Sequence, residues 1–178
     1  MIELVLVTIW LLLPAYTPNN FAVVLGGGKP IDLGKNFLGK RIFGDGKTIR
    51  GFLAGIVGGV FVANLQICIE DLFGFEIFSS LKYFDFFVLT FLLAFGSMLG
   101  DLAGSFIKRR LSYEKGKPLP VLDQLMFLFV AILISSQFYA FWYLFDFEKI
   151  VVAFIVTPFL HIAVNVLAYK LKLKDVPW

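Results

Sequence analysis

Long unbroken apolar segments recur along this chain, and each is about as long as a helix must be to cross a bilayer. Mean hydropathy is +0.85, more apolar than a soluble chain of 178 residues can conceal. Backbone polar groups in lipid must be paired within a helix or a closed barrel, and unbroken runs exclude the alternating barrel pattern. The sequence therefore predicts an all-α integral membrane protein. We expect one domain over 1–178, a five-helix transmembrane bundle with spans at about 2–25, 51–73, 86–107, 121–145 and 150–170.

The positive charges lie mostly on one side of these segments. Of 16 Lys and Arg residues, 14 fall in loop 26–50, in loop 108–120 or beyond the last segment, and only Lys82 and Lys149 fall on the other side. Cytoplasmic loops carry an excess of Lys and Arg. We therefore predict an N-terminus outside, a cytoplasmic C-terminus, and two cytoplasmic loops that form the site of a multi-pass protein of the cell membrane.

Two carboxylates lie in the apolar segments that flank loop 108–120. Asp101 precedes Lys108 by seven residues, which places it about 10 Å below the basic loop at 1.5 Å per residue. A charge at that depth costs at least about 2.5–3.5 kcal/mol, so we expect a functional role. Asp123 opens the next segment, which returns to the same end of the bundle. The pair can share a hard cation such as Mg²⁺. The alternatives are an ion pair for assembly at Asp101 and a helix-dipole contact at Asp123.

Loop 26–50 combines many glycines with cations. Glycine lets backbone N–H groups approach anionic oxygens, and the cations supply charge. Gly46-Lys47-Thr48 is similar to the end of a P-loop, but Arg41 stands where that motif requires glycine. We interpret the loop as phosphate-binding. The alternative is a basic loop that only contacts lipid headgroups.

Several other polar or small residues have a structural interpretation. Asn20 either satisfies backbone groups freed by Pro14 and Pro18 or contacts a ligand. Glu70 falls at the outer face and is expected to be solvated, while His161 is expected to be a structural polar group. Close helix packing is predicted for glycines at four-residue spacing, which are Gly51, Gly55 and Gly59, and Gly96, Gly100 and Gly104.

The chain has carboxylates, cations and contact with lipid, but no convincing nucleophile or general base. A lipid phosphate monoester is itself a nucleophile, because its second pKa is about 6 and it is mostly dianionic at neutral pH. Such chemistry needs positioning, a metal and charge neutralisation. Attack on the α-phosphorus of a nucleoside triphosphate, with pyrophosphate leaving, fits these residues.

Four stretches together resemble the CTP-dependent phosphatidate cytidylyltransferase superfamily, and they are Gly100-Asp101, 105–110, 115–117 and 119–124. Residues 26–32 and 44–51 are similar to its archaeal branch, the CDP-archaeol synthase family, and the resemblance covers essentially the whole chain. It implies transfer of CMP from CTP to 2,3-bis-O-geranylgeranylglycerol 1-phosphate, giving CDP-archaeol and pyrophosphate, with Mg²⁺. Bacterial and eukaryotic relatives carry a Lys-Asp pair and a His that region 115–117 lacks, which leaves the number of metal ions open.

The resemblance implies a role for each matching residue. Asp101 and Asp123 are the expected metal ligands and, with Lys108, the expected catalytic residues. The expected nucleotide and phosphate contacts are Asn20, Gly26, Gly27, Gly28, Lys47, Thr48, Arg50, Ser105, Arg109 and Lys115. The partners are then CTP and a lipid phosphate within the membrane, with no nucleic acid, and the oligomeric state stays open.

Two other classes of protein fit the same composition. A small ion or solute transporter would use Asp101 as its intramembrane ion site, but secondary transporters usually show paired repeats around a midplane site. This chain has no evident internal repeat, and its polar residues gather on one face. The second alternative is a structural membrane partner whose basic loops hold anionic lipid.

Overall fold

The computed structural model describes residues 1–113, 119, 121–170 and 172. Within them the chain is mainly helical, with a short antiparallel hairpin in the first loop. The helices are α1 (Ile2–Tyr16), α2 (Pro18–Leu25), α3 (Ile49–Phe73), α4 (Tyr83–Arg110), α5 (Leu122–Ser135), α6 (Tyr139–Leu144) and α7 (Phe147–Lys170). The hairpin strands are β1 (Asn36–Phe37) and β2 (Lys40–Arg41).

Four stretches of the described chain are long and apolar enough to cross a membrane, and they are Ile2–Leu25, Ile49–Phe73, Tyr83–Arg110 and Phe147–Leu167. They agree with the first, second, third and fifth predicted segments. The expectation of one continuous helix over 121–145 is wrong, because α5 ends at Ser135 after 14 residues and the chain turns before α6. Ser136 Oγ and Gln137 Nε2 both donate to the carbonyl of Leu133, at 3.0 and 3.2 Å. These polar side chains satisfy a carbonyl near the end of α5, where the next helical turn does not continue.

The first predicted segment, 2–25, forms two helices that meet just before Pro18, while Pro14 lies inside α1. Thr17 separates α1 from α2, and Pro18 occupies the first turn of α2. The Thr17 hydroxyl donates to the carbonyl of Leu13 at 2.8 Å. Proline has no N–H to continue the helical bonding, and at the start of a helix none is needed.

Glycines bring the helices into close contact at five of the six predicted positions, and at Gly104 a methyl group would meet only an ordinary contact at 3.8 Å. A methyl group built on Gly59 would lie 2.6 Å from the carbonyl oxygen of Pro14 and 2.7 Å from Ala94 Cβ. At Gly100 the same group would lie 2.5 Å from the Cα of Phe127. Neither position has room for a side chain, so α3 approaches α1, and α4 approaches α5, through glycine.

Glu70 is fully buried, so the expectation that it is solvated is wrong. Its carboxylate accepts hydrogen bonds from Trp10 Nε1 and from the backbone N–H groups of Ile77, Phe78 and Ser79, at 2.8–3.1 Å. The Ser79 hydroxyl adds a bond of 2.7 Å. The loop after α3 therefore folds back over the helix end and is fixed by this carboxylate.

Candidate active site

A cavity of about 1280 Å³ opens at the end of the bundle where loop 26–50 meets the C-terminal end of α4. Helices α1, α2, α4, α5 and α7 and the start of α3 supply its walls. Nine of the predicted site residues line it, namely Asn20, Gly27, Lys47, Thr48, Asp101, Ser105, Lys108, Arg109 and Asp123. The structure therefore gathers in one cavity residues that the sequence places more than 100 positions apart.

The two predicted metal ligands are each paired with a lysine. Lys47 Nζ lies 2.5 Å from Asp101 Oδ2, so a cation from the first loop reaches the carboxylate of α4. Lys108 Nζ lies 2.8 and 3.0 Å from the two oxygens of Asp123. Asp123 also accepts a 2.8 Å bond from the N–H of Leu119. The ion-pair partner of Asp101 therefore comes from the first loop. The side chains of both Asp101 and Asp123 are partly exposed.

The cavity wall carries more positive than negative charge. Among the described residues the cations on it are Lys40, Arg41, Lys47, Lys108 and Arg109, and the carboxylates are Asp45, Asp101 and Asp123. Such a wall attracts a polyanion electrostatically. No group of three or more His, Cys, Asp or Glu side chains with metal-binding geometry occurs in the described part of the chain.

Arg110 attaches the first loop to the end of α4. Its guanidinium donates to the carbonyl oxygens of Phe37, Lys40 and Arg41, the last two at 3.0 and 2.7 Å. It also lies over the rings of Phe37 and Phe106, at 5.4 and 5.1 Å. The sequence identified Arg110 only as part of a basic run, whereas the structure shows it holding the hairpin in place.

Inside the first loop the buried carboxylate of Asp32 forms an ion pair with the partly exposed Arg41, and the sequence assigned neither of them a role. Arg41 Nη2 lies 2.6 Å from Asp32 Oδ1. The adjacent Arg41 guanidinium holds the pKa of the Asp32 carboxyl well below its usual range, with backbone N–H bonds helping. The only signal in the sequence was a carboxylate and an arginine nine residues apart in one glycine-rich loop, which does not specify a contact.

Three of the predicted site residues are not among the described residues that line the cavity, and they are Gly26, Gly28 and Arg50. Gly26 packs close to Gly51 Cα, and Arg50 is exposed at the start of α3. Thr48 lines the cavity, but its hydroxyl caps α3 by accepting a 3.1 Å bond from the N–H of Gly51. Lys115 lies outside the described residues. Phosphate contact by these residues stays a prediction.

The cavity also has an apolar arm between α1 and α7. Its walls include Ile9, Leu13, Leu160 and Val164. Tyr16 and Thr157 join the two helices through a 2.8 Å hydrogen bond between their hydroxyls. His161 also lines the arm, and its Nδ1 lies 3.1 Å from Asn165 Nδ2. One cavity can therefore hold an anionic group at its charged end and a hydrocarbon chain in its apolar arm.

Comparison with known proteins identifies a family. The chain matches the family model described as "CarS-like: CDP-archaeol synthase" over residues 1–178. It is 62% identical to the CDP-archaeol synthase of Archaeoglobus fulgidus, with 100% of both chains covered. It is 43% identical to that of Methanocaldococcus jannaschii, with 99% of this chain and 98% of the relative covered. A solved structure of an intramembrane enzyme for archaeal membrane lipids biosynthesis is 36% identical, with a TM-score of 0.73, and the match covers 89% of this chain and 92% of that one.

Proposed function

The chain belongs to the CDP-archaeol synthase family, and we propose that it transfers CMP from CTP to 2,3-bis-O-geranylgeranylglycerol 1-phosphate, giving CDP-archaeol and pyrophosphate. It is then a CTP-dependent nucleotidyltransferase embedded in the membrane. The supporting observation is the single cavity that joins a cationic end to an apolar arm. A polar nucleotide and a lipid phosphate can meet only where both environments adjoin.

The reaction requires positioning and charge neutralisation more than acid–base catalysis. The lipid phosphate is largely a dianion at neutral pH, so its oxygen can attack the α-phosphorus of CTP without a protein base. In-line displacement releases pyrophosphate and forms the new phosphoanhydride bond. We assign Lys47, Lys108 and Arg109 to neutralise the triphosphate and the leaving pyrophosphate, because all three line the charged end.

Asp101 and Asp123 are the residues that would hold Mg²⁺. They fit this ion because they present oxygens to one cavity, and Mg²⁺ prefers one or two carboxylates together with water and phosphate oxygens. When bound, the ion polarises the phosphoryl oxygens and neutralises developing charge. Lys47 and Lys108 are paired with these two carboxylates. When Mg²⁺ takes the carboxylates, each lysine would be free to bind a phosphate oxygen.

The lipid would occupy the apolar arm between α1 and α7, with its phosphate at the charged end. We assign this end to the cytoplasmic face of the cell membrane, where CTP is available, and the excess of Lys and Arg on that side of the segments supports the assignment. The transporter alternative is set aside, because the family and its relatives are synthases.

The test uses purified protein with Mg²⁺, labelled CTP and the geranylgeranyl ether lipid phosphate. We expect a CDP-lipid and one pyrophosphate per product. ATP in place of CTP, and a saturated diacyl phosphatidate in place of the ether lipid, measure how far each end of the cavity discriminates. Absence of a CDP-lipid with every lipid offered would contradict the proposal.

A further inference from the structure

Asp32 is a buried carboxylate next to the cavity but not on its wall as described. Its oxygen Oδ2 accepts bonds from the backbone N–H groups of Phe43 and Gly44, at 3.0 and 2.9 Å. Its oxygen Oδ1 accepts from the N–H of Gly34 at 3.1 Å and from Arg41 at 2.6 Å. One side chain thus fixes two separated parts of the first loop.

The segment that Asp32 holds is the turn 43–47, of which every residue lines the cavity. The N–H of Lys47 donates to the carbonyl of Gly44 at 3.2 Å, which closes the turn. Gly44 has a φ of 96°, and a methyl group there would lie 3.5 Å from Arg109 Nε. The turn therefore lies directly against Arg109, and it carries Lys47 to Asp101.

Arg41 extends the same network to the far side of the turn. Its Nη1 lies 2.6 Å from Asp45 Oδ1, while its Nε and Nη2 donate to Asp32. Arg41 and the backbone N–H groups hold the pKa of Asp32 below its usual range, so these contacts favour the ionised carboxylate. The backbone of the turn is thus held by a charged carboxylate.

We propose that Asp32 is a positioning residue for the triphosphate: it touches no substrate, and it holds turn 43–47 so that Lys47 and the turn's backbone face the nucleotide. The inference rests on the proposed function and adds to it a residue that acts through others. A purely structural Asp32 would affect only how much enzyme folds.

The experiment compares Asp32→Asn with the unmodified enzyme by separate KM values for CTP and for the lipid phosphate, by kcat, and by equilibrium binding of labelled CTP. The amide presents a donor where the carboxylate presented only acceptors, so the network around the turn is weakened. We expect the KM for CTP to rise roughly tenfold or more, the effect of losing one charge-assisted hydrogen bond. The KM for the lipid phosphate stays within about twofold of the unmodified value, since a twofold change is well under 1 kcal/mol.

A second variant protects the test against a folding defect. Gly44→Ala strains the turn directly, because alanine disfavours positive φ, and it leaves Asp32 in place. Both variants should raise the same KM, and the double variant should be less than additive, because both act on one turn. Lys35→Gln is the matched control, an exposed loop cation that does not line the described cavity wall.

The outcomes separate the two claims. If the unmodified enzyme forms CDP-lipid and Asp32→Asn lowers only kcat or yield, with the KM for CTP and CTP binding unchanged, the positioning role is wrong and the proposed function stands. If the unmodified enzyme binds CTP but forms no CDP-lipid, the proposed function fails, and weaker CTP binding by Asp32→Asn still supports the positioning role. If the unmodified enzyme binds no CTP, both are wrong.

Discussion

Replacing Glu70 by Gln should lower the stability of the helical bundle strongly without changing the turnover of the folded enzyme. Glu70 lies at the opposite end of α3 from Thr48, whose hydroxyl caps the helix beside the cavity. Its two carboxylate oxygens accept five hydrogen bonds, from Trp10, the backbone of residues 77–79 and the Ser79 hydroxyl. Gln has nearly the same shape but offers one acceptor oxygen and one NH₂ group.

The magnitude follows from counting the donors that lose their acceptor. In the less costly orientation the NH₂ group replaces Oε1, which accepts from Trp10 Nε1 and from the N–H of Phe78. A buried donor left unpaired costs about 1–3 kcal/mol, so two donors give about 2–6 kcal/mol. For a chain of this size 1 kcal/mol corresponds to about 2–4 °C in Tm, so the lower figure predicts a fall of about 4–8 °C.

The assay is thermal unfolding of the purified protein in one detergent, with Asp71→Asn as the matched control. Asp71 is the next residue along the helix and is exposed, so the same chemical change there should shift Tm by less than about 2 °C. The kcat per folded molecule of Glu70→Gln should equal that of the unmodified enzyme. Equal Tm values for Glu70→Gln and Asp71→Asn would refute the argument that this carboxylate fixes the loop.

Four further results are expected. Asp101→Asn and Asp123→Asn should each lower Mg²⁺-dependent turnover by about 10–100-fold or more while the protein stays folded, because each removes a proposed ligand and even an outer-shell partner of a metal is worth that much; full activity in both would exclude the metal site. Lys108→Ala should weaken binding of labelled CTP, and unchanged affinity would contradict its phosphate role. Gly100→Val should lower Tm, because its side chain meets the α5 backbone; an unchanged Tm would refute that contact. The folded pKa of Asp32 is depressed, so its contribution to stability is present above its unfolded pKa of about 3.9 and is lost as pH falls below that value; acid titration of Tm in Asp32→Asn should lack this loss.

The helical spans were predictable because they depend on local composition. Length and hydropathy alone located α3, α4 and α7, and they also located the first segment, although not its division into α1 and α2. The exception was the segment that contains α5 and α6. There Ser136 and Gln137 lie within an apolar run, and whether such residues end a helix depends on the bonds they form to its carbonyls.

The cavity was predictable in part for the same reason. Asp101 was identified because a carboxylate is costly inside an apolar segment, and Asp123 because it opens the segment that returns to the same end of the bundle. Their lysine partners depend on how loop 26–50 folds, and Lys47 reaches Asp101 across 54 residues of sequence.

The buried carboxylates Asp32 and Glu70 were missed because burial is a property of the folded loop. Both stand in stretches that read as solvated, and backbone N–H groups from a returning chain make them interior. A residue whose role depends on backbone groups of a folded loop leaves no periodic signal in the sequence.

The most direct test of the central claim follows the phosphorus atoms of CTP. Purified enzyme, Mg²⁺ and the ether lipid phosphate are incubated in parallel with CTP labelled at the α- or the γ-phosphate. The lipid phase is counted, and pyrophosphate in the aqueous phase is separated from unreacted CTP before it is counted. CMP transfer predicts the α-label in the lipid and the γ-label in pyrophosphate, with both signals lost in Asp101→Asn. Recovery of the γ-label in the lipid, or absence of both labels from the lipid, would contradict the account.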